Sequence, residues 1–169
     1  MALHADGFIK THGREKALET PLLRKLVDSG IPLAMTTDAF RAATYNPWVA
    51  VSWMVTGKSV SGSEALAKDN RVTRSEALGL FTSGGAWFMN AESEVGAIAP
   101  GYLADFALLD RDYFAVPEEE IKSVSSVLTV MNGKVVFGAQ DYRDLSPTLP
   151  APLPTWSPVR YFGTHYGEK

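Results

Sequence analysis

Residues Val95 to Asp110 read VGAIAPGYLADFALLD. Pro100-Gly101 marks a tight turn: proline presets φ at the first central position and glycine accepts the positive φ of a type II turn. From Leu103 to Leu109 the chain is almost continuously apolar, and Asp110-Arg111-Asp112 ends the run. An apolar run of this length between turn signals predicts a well-buried strand. Asp105 interrupts it. A carboxylate there needs donors, and the N–H groups of the preceding turn are the nearest, so Asp105 is expected to be a buried, turn-bracing acid rather than a catalytic one.

Working toward the C-terminus, Val116 to Val124 (VPEEEIKSV) predicts a short acidic helical turn, and Val124 to Val130 a strand. Met131-Asn132-Gly133-Lys134 predicts a hairpin, because Asn-Gly suits the type I′ turn, with Val135 to Phe137 as the returning strand. Leu145 to Thr155 holds four prolines and is expected to be extended and polyproline-like. The tail SPVRYFGTHYGEK is aromatic enough to pack onto a surface.

Toward the N-terminus, Thr73 with Glu76 three residues later forms a capping box, and Ala77, Leu80, Phe81, Gly84 and Phe88 continue a helical face to about Asn90. Gly84-Gly85 lowers helix propensity there and would permit a close helix contact. The Ser-rich stretch from Gly57 to Asn70 reads as an exposed loop. Asn46-Pro47 opens a helix by the N-cap and N1 rule. Ala17 to Ser29 predicts another helix, with Thr20-Pro21 as its capping pair, Leu22, Leu23, Leu26 and Val27 as its apolar face, and Gly30 as its C-terminal glycine. Ile31 to Met35 follows as a short apolar strand ending in Thr36-Thr37-Asp38. Residues 1–13 contain no clear element. A helix, a glycine and then a buried strand is the grammar of an α/β barrel, where strand C-termini face the active site. Asp38 is therefore the leading catalytic candidate, the alternative being a simple strand-end or cap carboxylate.

The 169 residues suffice for a respectable core, and the net charge of −3 is small. No basic block points to nucleic acid. No apolar run is long enough to span a membrane, and the N-terminus has no apolar segment of a secretory signal. A cytoplasmic location is the default expectation. With no cysteine, disulfides and thiolate metal sites are excluded. The three histidines are His4, His12 and His165. His4 and His12 lie eight apart without a ligand spacing, and all three read as ordinary histidines.

Several of these motifs, in order over residues 20–140, resemble the C-terminal portion of amidohydrolase-superfamily enzymes, metal-dependent hydrolases built on a (β/α)₈ barrel. Val95 to Phe106 is similar to the family's "G-x-I-x-P-G-x-x-A-D-hydrophobic" segment, which there belongs to a β-sandwich beside the barrel. Gly30 to Asp38 is similar to its eighth barrel strand, Thr73 to Met89 to its "T-x-x-E-A-L" helix with Gly84-Gly85 in place of alanines, and Val124 to Phe137 to its closing hairpin. Asn46-Pro47-Trp48 resembles the subgroup that includes N-substituted formamide deformylases.

The resemblance implies a divalent metal, zinc by expectation, and a small-molecule substrate with a C–N bond. It implies that Asp38 is both a metal ligand and the acceptor of the proton from the attacking water. The family's His-x-His pair and its other ligands have no counterpart in this sequence. The expectation is therefore an α/β chain, α+β as an isolated fragment, that forms part of a longer hydrolase and is inactive alone. Residues 1–92 would belong to the barrel, 93–142 to the sandwich and 143–169 to a Pro-rich and aromatic tail. Open strand edges imply a homo-oligomer, or association with the missing N-terminal part. The competing expectation is a non-enzymatic α+β module that binds a partner chain through those edges.

Overall fold

The structure, a computed structural model, describes residues 1–38 and 44–148. Its first elements are three short helices, α1 (Ala5–His12), α2 (Arg14–Glu19) and α3 (Leu23–Asp28). The N-terminal stretch, which has no clear signal in the sequence, is thus helical. It is drawn down by Ala5, which is fully buried, and tethered by the Val60 N–H, which donates to the Ala2 carbonyl at 2.9 Å. The single helix expected over Ala17–Ser29 is interrupted. Thr20 does not cap α3 but ends α2, its N–H donating to the Ala17 carbonyl; in the first turn of α3 the Arg24 N–H is met instead by Asn70, whose Oδ1 accepts from it at 3.0 Å. Asn70 Nδ2 donates to the Pro21 carbonyl at 2.8 Å. Of the predicted apolar face, Leu23 is buried and Val27 half-buried, while Leu22 and Leu26 are exposed.

Ile31–Met35 forms no strand. A strand requires a neighbouring strand to share its hydrogen bonds. Among the described residues this extended segment makes one backbone bond, from the Met35 N–H to the Leu80 carbonyl at 2.9 Å.

Helix α4 (Pro47–Thr56) starts as expected, with Asn46 Oδ1 accepting from the Trp48 N–H at 3.0 Å. Every residue from Val51 to Thr56 is buried. A helix apolar all round has to be surrounded, and this one forms the centre of the core with Leu23, Leu66, Val72, Ala77, Leu80, Tyr113 and Ile121. The Ser-rich stretch 57–70 is therefore not a simple exposed loop. Ser59, Ala65, Leu66 and Asn70 are buried in it, Lys58 and Glu64 form a β-bridge, and Lys68–Asn70 makes a 3₁₀ turn.

Helix α5 (Arg74–Phe81) carries the complete capping box of Thr73 and Glu76. The helix predicted to run on to Asn90 breaks at Thr82, with φ −113° and ψ −90°, and resumes as α6 (Ser83–Phe88). Arg74 at the start of α5 donates to the carbonyls of Tyr113 and Val116, and the Tyr113 hydroxyl returns a bond to the Arg74 carbonyl at 2.9 Å. Burial pushes the Tyr113 phenol up to about 12. The acidic turn comes out as a 3₁₀ helix, Glu118–Ser123, which buries Ile121 against the core.

The sheet has the order β1-β2-β3, from β1 (Phe106–Leu109), β2 (Ser126–Met131) and β3 (Lys134–Gly138), and is antiparallel throughout. The described residues are thus α+β, the class expected of the chain taken by itself. The β2–β3 turn has φ 48° at Asn132 and 73° at Gly133, as a type I′ turn needs. Gly101 has φ 90°, and the Tyr102 N–H donates to the Ala99 carbonyl at 3.1 Å, closing the predicted type II turn.

The run Leu103–Leu109 is not buried: from Leu103 to Leu108 every residue is exposed. β1 is an edge strand, and among the described residues nothing pairs with its outer edge or covers it. Asp105 braces a turn, but not the preceding one. Its Oδ1 accepts from the Asn132 N–H of the hairpin at 2.6 Å, and the residue is exposed. No described helix is long and apolar enough to cross a membrane.

Candidate functional site

Asp38 ends the extended segment that follows α3. Its φ is +52°, a left-handed value unusual for a residue other than glycine. Its N–H donates to Thr36 Oγ1 at 3.2 Å, a local turn that lets the chain change direction at the aspartate. The side chain is exposed. Immediately before it, Met35, Thr36 and Thr37 line one wall of a hollow of about 130 Å³; His4, Thr44 and Asn46 add polar groups to it, and Met1, Ala2, Leu3, Val49, Ala50 and Trp53 complete it with mostly apolar surface.

Each wall has a local cause. Thr36 and Thr37 are held at the height set by the Met35–Leu80 bond. His4 is the N-cap residue of α1. Asn46 is fixed because its side chain caps α4, and its own N–H donates to Thr44 Oγ1 at 3.1 Å. The hollow therefore combines an imidazole, three hydroxyls and an amide beside an exposed carboxylate. Such groups can bind and orient a small polar molecule and pass a proton to or from it.

The sequence pointed to Asp38 but not to its surroundings. Asn46 read as a helix cap, which it is, and nothing local signalled that the same residue borders a hollow with Thr37. His4 lay in a stretch without pattern. His12 ends the same helix at whose start His4 stands, so about 12 Å of helical rise separates them; they cannot share a metal ion. The His12 ring packs on Phe8, with centroids 4.6 Å apart. His165 and the aromatic tail lie outside the described residues, as does the proline-rich stretch beyond Thr148; Leu145 itself ends a 3₁₀ turn, Gln140–Leu145.

The family model described as the amidohydrolase family matches residues 1–137. The chain belongs to this family. It is 27% identical over 111 residues, 66% of this chain, to the N-substituted formamide deformylase of Arthrobacter pascens. It is 28% identical over 123 residues, 70% of this chain, to the imidazolonepropionase of Bdellovibrio bacteriovorus. A shorter stretch, 62 residues or 37% of the chain, is 39% identical to YtcJ of Bacillus subtilis, which carries an amidohydrolase name. These matches span 20%, 25% and 12% of the three relatives, a quarter of their length or less.

Hydrolysis of C–N bonds in small molecules with the help of a divalent metal is the general chemistry of the family. The described residues do not by themselves fit such a metal: no three of His, Cys, Asp or Glu among them come together as a ligand set. Three or more protein ligands are the usual minimum for a catalytic zinc, and Asp38 is a single carboxylate.

Proposed function

We propose that this amidohydrolase-family chain supplies the aspartate end of an active site that hydrolyses an amide-type C–N bond in a small molecule, with Asp38 as the general base. The observation that carries this reading is the placing of Asp38. An exposed carboxylate ends an anchored segment, turned by its own positive φ toward solvent, next in the chain to a mostly apolar hollow into whose wall hydroxyls, an amide and an imidazole are set. Such a carboxylate accepts a proton from water as the water attacks the substrate carbon, and returns it to the departing amine. The hollow's hydroxyl and amide groups orient the substrate.

In this reading residues 1–92 complete a (β/α)₈ barrel, residues 93–142 complete the adjoining β-sandwich, and residues 143–169 form a tail. Residues 31–35 are extended, and among the described residues their one bond to another backbone group is that from the Met35 N–H to the Leu80 carbonyl; the proposal pairs this segment with flanking barrel strands. Zinc, the expected metal, would draw its ligands other than Asp38 from outside the described residues. A cytoplasmic setting is part of the same proposal. Replacing Asp38 by Asn in the full-length protein keeps size and hydrogen bonding but removes the base, so kcat should fall by at least about 10²-fold. The Tm should hardly move, because the side chain is exposed. Near-normal turnover of a formamide or amide substrate by Asp38→Asn overturns the reading.

The second reading, a non-enzymatic module, has its own support. Ile98 is 88% exposed, and with Val95, Phe106, Met89 and Phe81 it lines an apolar groove of about 750 Å³ beside the open edge of β1. A surface of this kind takes a partner strand from another chain.

A further inference from the structure

The carbonyl oxygen of Leu33 faces the Cα of Gly84 in α6. A Cβ placed on Gly84 would lie 2.3 Å from that oxygen and 3.4 Å from Ala34 Cα. Side-chain carbons do not approach backbone oxygen so closely, and a carbonyl cannot rotate aside as a flexible side chain can. Gly85, the next residue, is in the opposite situation, since a Cβ there would meet nothing within 4 Å. Glycine inside a helix lowers helix propensity at both positions, yet only at Gly84 does its lack of a side chain admit another segment.

That segment leads to Asp38. Two residues beyond Leu33, the Met35 N–H donates to the Leu80 carbonyl at 2.9 Å. Leu80 lies in the last turn of α5, where carbonyls have no donor within the helix, so the break at Thr82 leaves this acceptor to Met35. Three residues further on, Asp38 turns out to solvent.

We propose that Gly84 is a positioning residue for Asp38. Its bare Cα lets residues 33–35 lie against the α5–α6 junction, and the Met35–Leu80 bond then sets the height at which the carboxylate leaves it. The inference rests on Asp38 being the general base proposed above. A Cβ at position 84 has to push the Leu33 carbonyl away by most of an ångström to reach ordinary contact, which pulls on the Met35 bond. Displacements of about 1 Å in a catalytic group cost on the order of 10²-fold in rate.

The test compares Gly84→Ala, Gly85→Ala and Asp38→Asn in the full-length protein. The readouts are amide hydrogen exchange at Met35, thermal unfolding, and kcat and KM on an N-substituted formamide. Gly84→Ala should speed Met35 exchange by at least about 10-fold and lower kcat by at least about 10-fold with KM nearly unchanged. Gly85→Ala should match wild type in Met35 exchange and in kcat and KM, and unfold at the same or a higher temperature.

Equal Met35 protection in Gly84→Ala and Gly85→Ala overturns the proposal. So does normal kcat in Gly84→Ala where Asp38→Asn has lost turnover. Wild-type protection at Met35 is a requirement in itself: exchange at the unprotected rate there overturns the proposal even if Gly84→Ala fails to fold. Full activity of Asp38→Asn removes the catalytic reading and the positioning role together, while any exchange difference between the two glycine variants still reports the contact.

Discussion

Arg24 holds Glu76 by two parallel hydrogen bonds, Nη1 to Oε2 at 3.0 Å and Nη2 to Oε1 at 2.8 Å, joining α3 to the start of α5. The same Oε2 accepts from the Thr73 N–H at 2.7 Å, so one carboxylate closes both an ion pair and a capping box. The Arg24 guanidinium holds the Glu76 carboxyl down to about 2, with the Thr73 bonds helping and partial burial opposing. A carboxyl depressed in the folded state stabilises the fold above its unfolded pKa, and that contribution is lost as pH falls through the folded value. Glu76→Gln should therefore cost about 1–2 kcal/mol at neutral pH. The gap to wild type should narrow between the ordinary value of 4.5 and about 2. Urea unfolding over this pH range measures it; a gap that stays constant would mean that the charge contributes nothing.

Asp105 ties the start of β1 to the β2–β3 turn through its bond to the Asn132 N–H. Asp105→Ala should lower stability by about 1 kcal/mol, the usual contribution of a hydrogen bond. It should leave turnover of the folded protein unchanged, the reverse of the pattern expected for Asp38→Asn. Paired denaturation and activity measurements distinguish the two aspartates. A loss of kcat in Asp105→Ala without loss of stability would contradict the structural role.

Metal content gives a third expectation. Among the described residues no three of His, Cys, Asp or Glu come together, and the sequence has no His-x-His pair, so the chain by itself, washed with chelator, should hold far less than one equivalent of zinc. Elemental analysis decides this. Stoichiometric zinc that disappears in Asp38→Asn would place a complete site within this chain.

The open edge of β1 leads to the fourth. Phe106 and Leu108 are each 41% exposed beside unpaired backbone groups, and such edges pair with other chains unless blocked. The chain should form dimers or larger oligomers in light scattering, and Leu108→Lys, which adds a charge to the edge, should shift them toward monomer. A monodisperse wild-type monomer well above micromolar concentration would count against pairing.

The elements that read correctly from sequence are those whose cause lies within a few residues. Asn46 caps α4 two residues away, Thr73 and Glu76 close a box over three, and Pro100-Gly101 and Asn132-Gly133 set their own turns. The family was legible for the same reason: it rests on such local motifs in order. The errors come from partners that are distant in the chain. Ile31–Met35 has the composition of a strand, but pairing needs a second strand, and its described partner is the end of a helix. Leu103–Leu109 is apolar enough for a core, yet as an edge strand it is exposed. Thr20 looked like a cap, while the cap of α3 comes from Asn70.

By itself, then, the amino-acid sequence determined the starts of α4 and α5, the turns and the family, because dihedral preference and short-range hydrogen bonding act over a few residues. Tertiary structure alone decided that a Ser-rich stretch would be half-buried around α4 and that Asp105 would reach to the hairpin. It alone brought His4, Thr37 and Asn46 around one hollow and set Gly84 against Leu33. These depend on which surfaces meet, and hydrophobic burial, which drives that meeting, is non-directional and names no partner until the whole chain is packed.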